Sequence, residues 1–494
     1  MTSLKSSPRP TDKIFSDEIS GFDFFYQLIY MSATSAAGLS RARVFELAKK
    51  VESPSAQYFE EVSVISENLR ISYPESCRLI GQRTKLEEVR TFLFRFADAL
   101  KSGEPLAPFL AREAEVQAGN YENEYDRQLE SLKKWNDGYV SVTISAALIV
   151  IINMVSTMIY PLGIGVMLGM AFTAVIVTFI LAWVVSRAAP QEVKNITLSK
   201  GSSEQKRAHQ LMKMTIIAIA VLLPLMLLLK IPVGWSMVVI SLVLAPFGIA
   251  VFRIDNETSK KDDEIGSFLR SLGGAATSRG TTLGDALENM ALDSFPALQN
   301  DISRLGMRLK AFVKPEVCWK LFAVESGSQL IKKTIGIFFD AIDLGGDPEK
   351  SGNLTSLFAT QTARLRAKRR GVADTFSWLI IIMHFVLVAL MNFMLGILDQ
   401  FNLMISNSIT EEMTAATSQM GADMMSFLAP QTEMLDEMAL FLIVMLVLIN
   451  SFAIVGSQGA HVSKMAFYGM FMLFLSGLSY IFVPSMVGSL LSGV

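Results

Sequence analysis

Two cysteines in 494 residues, Cys77 and Cys318, are too few for a disulfide framework or a cysteine-built metal centre. Both read as buried thiols in a reducing compartment. Histidine is scarce: His209, His384 and His461 lie too far apart in sequence to suggest a metal cluster. Charge is thin as well, at 18% of residues against about 25% in soluble domains. With 51% hydrophobic residues and a mean hydropathy of +0.40, part of the chain belongs in lipid. The opening MTSLKSSPRPTDKIFSDEIS has no apolar core, so a cleavable signal peptide is not expected. The sequence contains no G-x-x-x-x-G-K-[ST], no H-E-x-x-H and no G-x-S-x-G, which removes the P-loop, zincin and hydrolase chemistries. The Asp343-Leu-Gly-Gly-Asp347 stretch lacks the alternating spacing of a Ca²⁺ loop and reads as a helix-ending turn. No catalytic residue, cofactor or metal is expected.

What the chain does have is apolar length. Seven runs reach the roughly 20 helical residues that cross a hydrocarbon core: 139–159, 162–185, 211–229, 231–252, 376–398, 438–457 and 465–490. The first two are separated by Pro161-Leu162-Gly163 and the next two by Lys230 to Trp235, so each pair is a tight helical hairpin. None alternates with period two, which excludes a β-barrel. The expected fold class is all-α, a polytopic membrane protein with two soluble helical bundles.

Charge sets the orientation. Of 44 Lys and Arg, 18 fall in 1–138, 6 in 186–213 and 18 in 253–372, and Lys464 lies between the last two runs. Placing the amino terminus inside puts all of these on the cytoplasmic side and leaves only Lys230 outside. The 399–437 segment carries Asp399, Glu411, Glu412, Asp423, Glu433, Asp436 and Glu437 and no Lys or Arg, as an outer loop should. The organisation expected is a polar tail at 1–19, a bundle at 20–138 and four membrane helices at 139–252 with a cytoplasmic link at 186–210. A second bundle at 253–375 and three membrane helices at 376–494 complete it. The carboxyl terminus lies outside the cell.

The two soluble blocks repeat. At a shift of 242, Gly38 pairs with Gly280, Asp98 with Asp340 and Gly103 with Gly345. Small residues lead to a glycine (MSATSAAG, LGGAATSRG), and a later apolar helix ends near an Asp and a glycine (FADALKSG, FFDAIDLGG). Glycine just past a helix end is the expected left-handed cap. This bundle, present twice and each time followed by a membrane helix, resembles the type II secretion system F-domain family. Four membrane helices between the copies and three after the second resemble its archaeal branch, the platform proteins of archaella and archaeal type IV pili. The resemblance implies a non-enzymatic membrane platform, a homodimer in the plasma membrane. It also implies a hexameric cytoplasmic secretion-type ATPase that docks on the bundles, and pilin or archaellin subunits that pass into a filament.

Three features carry open alternatives. The run Arg364, Arg366, Lys368, Arg369 and Arg370 abuts the fifth apolar stretch. It can bind anionic headgroups, at about 1 kcal/mol per basic residue, or meet an acidic face of the ATPase; with no aromatic platform interleaved, nucleic acid is not expected. Inside the apolar runs, Asn153, His384 and Asn392 are polar, which fits interhelical hydrogen bonding or a part in subunit passage. Gly165-x-x-x-Gly169 is a close-packing spacing, within one protomer or between two. Pro224 and Pro246 should kink their helices. A Met-rich amphipathic helix is expected around 413–428. The rival functional classes are a permease energised by a separate ATPase, disfavoured by the lack of intramembrane carboxylates, and a membrane sensor, disfavoured by the small outer surface.

Overall fold

The computed structural model describes residues 20–156, 164–190, 192, 194, 201–408 and 432–491. The polar tail, the turn between the first two apolar runs, most of the link after 190 and the amphipathic stretch of the outer loop lie outside the described residues. Among those described, regular structure is helical, with no strand. In chain order the α-helices are α1 (Gly21–Ser35), α2 (Arg41–Ala48), α3 (Ala56–Leu69), α4 (Tyr73–Arg83), α5 (Glu87–Ser102), α6 (Leu106–Ser156), α7 (Ile164–Ala188), α8 (Ser203–Leu228), α9 (Val233–Arg279), α10 (Leu283–Glu288), α11 (Gln299–Lys310), α12 (Pro315–Glu325) and α13 (Gln329–Asp343). Beyond these lie α14 (Pro348–Ser408), α15 (Thr432–Gln458) and α16 (Met465–Leu491).

Seven helices, α6–α9 and α14–α16, are long and apolar enough to cross a membrane, and the chain is a multi-pass membrane protein. Three of them exceed their apolar runs: α6 has 51 residues, α9 has 47 and α14 has 61. Helix-forming sequence continues past the point where lipid-compatible sequence stops. Pro224 and Pro246 sit inside α8 and α9 without ending them.

The chain divides into two compact units, Met1–Asp126 with Thr258–Arg366, and Arg127–Glu257 with Ala367–Val494. Helices α6, α9 and α14 contribute to both. The first unit holds both of the blocks that repeat in sequence. Helices α10, α11, α12 and α13 begin 242 or 243 residues after α2, α3, α4 and α5. The caps repeat too: the Ser40 hydroxyl accepts from the Arg43 amide ahead of α2, and Thr282 accepts from Asp285 ahead of α10. Gly38, Gly103, Gly280 and Gly345 all have φ between +61° and +89°, and a Cβ at any of them would meet no neighbour. Backbone conformation, not space, calls for glycine there.

Each copy has its own core. Phe45, Phe59, Phe92, Phe96 and Phe109 stack in the first. Phe268, Trp319, Phe322 and Phe338 fill the second. The two are joined through α1, which is buried along nearly its whole length, polar Gln27, Ser32 and Thr34 included, and so is covered on all sides. Phe358 of α14 packs on Phe22, Phe25 and Tyr26, and α13 packs along the helix as well. Close approach of α9 and α14 depends on glycine: a Cβ on Gly273 would overlap the Pro348 carbonyl oxygen, and one on Gly352 would lie 2.7 Å from that of Leu269.

Candidate functional site

The contact between the copies is polar at its edge. Tyr30 Oη donates to Asp340 Oδ2 at 3.1 Å. Lys333 Nζ lies 3.4 Å from Asp23 and 4.6 and 4.5 Å from the ring centres of Phe22 and Tyr26, and Lys332 pairs with Glu52 at 3.2 Å. Gln361 donates to Glu122 at 2.7 Å. Beside this edge is a cleft of about 660 Å³, walled by Tyr26, Tyr30 and Glu52 of the first copy and by Trp319, Lys320 and Asp340 of the second.

The two repeat aspartates have different surroundings. Asp98 is exposed and paired with Arg78. Asp340 is half-buried under α1, and that burial raises its carboxyl above the ordinary carboxylate value, with Asp343 adding to the rise and the Tyr30 hydrogen bond opposing it. A raised native value means that ionisation near neutral pH costs stability, a cost absent below the unfolded value of about 3.9. Asp340→Asn keeps an oxygen for Tyr30 and removes the charge. The variant is expected to melt higher than wild type at pH 7, with the two melting points converging as pH falls to 4, as differential scanning calorimetry in detergent would show.

The basic run divides by helical phase. Arg364 is exposed and lies 3.6 Å from Glu122, while Lys368 and Arg370 are half-exposed. Arg366 and Arg369 turn inward, 8% and 5% exposed. Arg366 Nη1 donates to Asp262 at 2.9 Å, and the other Asp262 oxygen accepts from Ser328, the N-cap of α13. Arg369 donates to the carbonyls of Pro190 at 2.6 Å, Ser457 at 2.9 Å and Gly456 at 3.1 Å, neutralising the last turn of α15. A single basic surface of five residues is therefore not what the fold builds: Arg366 and Arg369 both turn inward, because positions three apart share one face.

The intramembrane polar residues are placed between helices. Asn450 of α15 accepts from Tyr139 Oη at 2.6 Å and donates to His384 Nδ1 at 3.3 Å. His384 Nε2 is 3.0 Å from Ser476 Oγ, which itself donates to the Met472 carbonyl. This network is satisfied by a neutral imidazole with its proton on Nε2. Asn392 donates to Ser479 at 2.9 Å. Asn153 is buried, and its Oδ1 has no partner among the described residues. Gly165 and Gly169 meet nothing within 4 Å of their Cβ positions, so packing inside the protomer does not use them among the described residues.

Other residues here gave no signal in the sequence. Asp255 sits between Lys194 and Lys464, each at 2.7 Å, and ties the link after α7 and the turn before α16 to α9. Gln458 donates to Tyr468 at 2.6 Å and to Ser377 at 3.1 Å. Among the described residues no group of three or more His, Cys, Asp or Glu converges to hold a metal ion.

Known proteins place this arrangement. Residues 28–154, from within α1 to the apolar end of α6, match the family model for type II secretion system protein F. Over 325 residues the chain is 29% identical to flagella accessory protein J of Methanocaldococcus jannaschii, covering 64% of this chain and 58% of that protein. It is 24% identical over 353 residues to flagella accessory protein J of Methanococcus voltae, covering 68% and 62%. The match thus spans about six tenths of the length of these curated relatives. No solved structure matches the chain. Residues 28–154 are thus similar to type II secretion system protein F, and the chain as a whole is similar to the archaeal flagella accessory proteins J.

Proposed function

We propose that this protein is the non-enzymatic membrane platform of an archaeal type IV filament machine, an archaellum or a pilus. In this reading 20–138 and 253–375 are two F domains on the cytoplasmic side, the carboxyl terminus is outside, and a hexameric secretion-type ATPase docks on the paired copies. Pilin or archaellin subunits then leave the membrane beside the seven helices. The observation that carries the proposal is the packing of two copies of one bundle into a single unit, supported on helices that continue into the apolar spans. Such a unit can receive force from a partner and pass it along continuous helices. Similarity to flagella accessory proteins J supports the filament assignment. The open Gly165–Gly169 face is suited to a homodimer contact. Arg364 is exposed and Lys368 and Arg370 are half-exposed, which places them on the side of α14 that headgroups or the ATPase could reach. Cross-linking in native membranes followed by mass spectrometry tests this: an ATPase of the secretion superfamily and a pilin-like subunit should both be recovered. Recovery of neither overturns the proposal.

A further inference from the structure

Duplication supplies an internal control, because one arrangement of helices carries different side chains in the two copies. In the first copy the groove between α4 and α5 is filled from within. A Cβ on Gly81 of α4 would lie 3.2 Å from Cε1 of Phe94 on α5, so the phenyl ring rests against that glycine. One helical turn further along α5, Asp98 pairs with Arg78 of α4. The residues 242 positions after Gly81, Phe94, Asp98 and Arg78 are Ala323, Gly336, Asp340 and Lys320. Gly336 supplies no ring, and a Cβ on it would meet nothing within 4 Å among the described residues. Glycine weakens a helix interior, and here it relieves no contact within the chain.

The ion pair is missing from the second copy too. Lys320 is drawn to Glu316 at 2.5 Å, and the first copy has Pro74 where Glu316 stands. Asp340 is left with the Tyr30 hydroxyl, and Asp343 stands where the first copy has Lys101. Among the described residues neither aspartate is in an ion pair, whereas Lys50, Lys320, Lys332 and Lys333 each have an acid partner. Ala323, Gly336, Asp340 and Asp343 all line the cleft of about 660 Å³, together with Tyr26 and Tyr30 of α1. The second copy therefore lacks, at one cavity, the two things that the first provides for itself: an aromatic ring and a cation.

We propose that this cleft binds a small aromatic amine, its ring beside Gly336 where the first copy places Phe94 and its ammonium beside Asp340 and Asp343. The two positions are one helical turn apart, about 5–6 Å, which a two-carbon link between ring and ammonium spans. Tyr26 and Tyr30 add aromatic walls that suit a cation as well as a ring. The volume is that of a site for a free small molecule. An anion fits less well, because the lysines of the cleft are already paired. Since both copies line the cleft, a bound amine holds them together. The site goes beyond the platform assignment and stands or falls apart from it.

The test uses the full chain in neutral-lipid nanodiscs and two probes followed by fluorine NMR, 4-fluorophenethylamine and the oppositely charged 3-(4-fluorophenyl)propionate. Wild type is expected to broaden the amine signal saturably, and excess unlabelled phenethylamine should restore it. Gly336→Phe installs the ring of the first copy and is expected to abolish binding. Asp340→Asn with Asp343→Asn keeps the cleft open and should weaken binding about tenfold, the loss of hydrogen bonds to a charged group. Phenethylamine should also raise the melting temperature of wild type and of neither variant. Circular dichroism shows which variants fold, and the aspartate pair decides alone if Gly336→Phe does not. Equal binding of the amine by wild type and either folded variant overturns the proposal. So does propionate binding as tight as that of the amine, or an amine signal that wild type leaves unchanged at millimolar concentration.

Discussion

Asp262→Ala is expected to lower the stability of the unit holding both copies by about 3 kcal/mol or more, the cost of breaking a buried ion pair. Asp262 and Arg366 are both nearly inaccessible, and the carboxylate serves two helices at once. One oxygen pairs with the α14 guanidinium, and the other holds Ser328, whose hydroxyl in turn accepts from the Ile331 amide as the cap of α13. Removing it takes away the carboxylate that the buried Arg366 guanidinium pairs with and loosens that cap, itself worth about 1 kcal/mol. The double variant Asp262→Ala with Arg366→Met should recover much of the loss, since apolar replacement of both partners is often neutral. Thermal unfolding in detergent, followed by circular dichroism, distinguishes the two. If Asp262→Ala alone melts with wild type, the pair does not hold α9, α13 and α14 together.

Asp255→Ala should be at least as damaging to the other unit. Its carboxylate is shared by Lys194 and Lys464, and all three side chains are largely buried. Without it two largely buried ammonium groups lose the carboxylate they share, again a loss of about 3–5 kcal/mol. The strands of chain carrying these lysines would then come away from α9. Trypsin is expected to cut at Lys194 and Lys464 in the variant and spare both in wild type. Asp255→Asn, which keeps the acceptor oxygens' positions in part, should lie between. Equal resistance in Asp255→Ala and wild type would show that the links are held by something else.

Hydropathy made the seven apolar spans legible, because lipid demands about 20 apolar residues in a row and nothing else in this chain resembles that. It could not mark where helices end. The apolar stretches of α6, α9 and α14 stop at a charge boundary, while the helices continue, since hydrogen bonding within a helix is indifferent to what its side chains face. Gly38, Gly103, Gly280 and Gly345 all have positive φ, and a left-handed conformation restricts residue type, which is why these glycines stand out in the sequence. The union of the copies was not legible, since the apolar residues of α1 do not say which elements cover them.

At the candidate site the limit was distance along the chain. Arg366 and Arg369 look like their neighbours in a basic run, and only partners 104 and about 180 residues away separate them. His384 stood out as ionisable, but Tyr139, Asn450 and Ser476 did not, since a Tyr, an Asn and a Ser in apolar runs carry no pairing information. Gly336 gave no signal for a related reason. A glycine within an apolar helix reads as a packing position, and only the open space beside it shows that nothing is packed there.

The central claim is that filament assembly requires this protein as its platform. Electron microscopy of cells lacking the gene, with the ATPase and filament subunits still present by immunoblot, tests it directly. The account predicts cells without that filament, with subunits retained in the membrane, and filaments restored by the wild-type gene. Filaments of normal number and length on the deletion strain would contradict it.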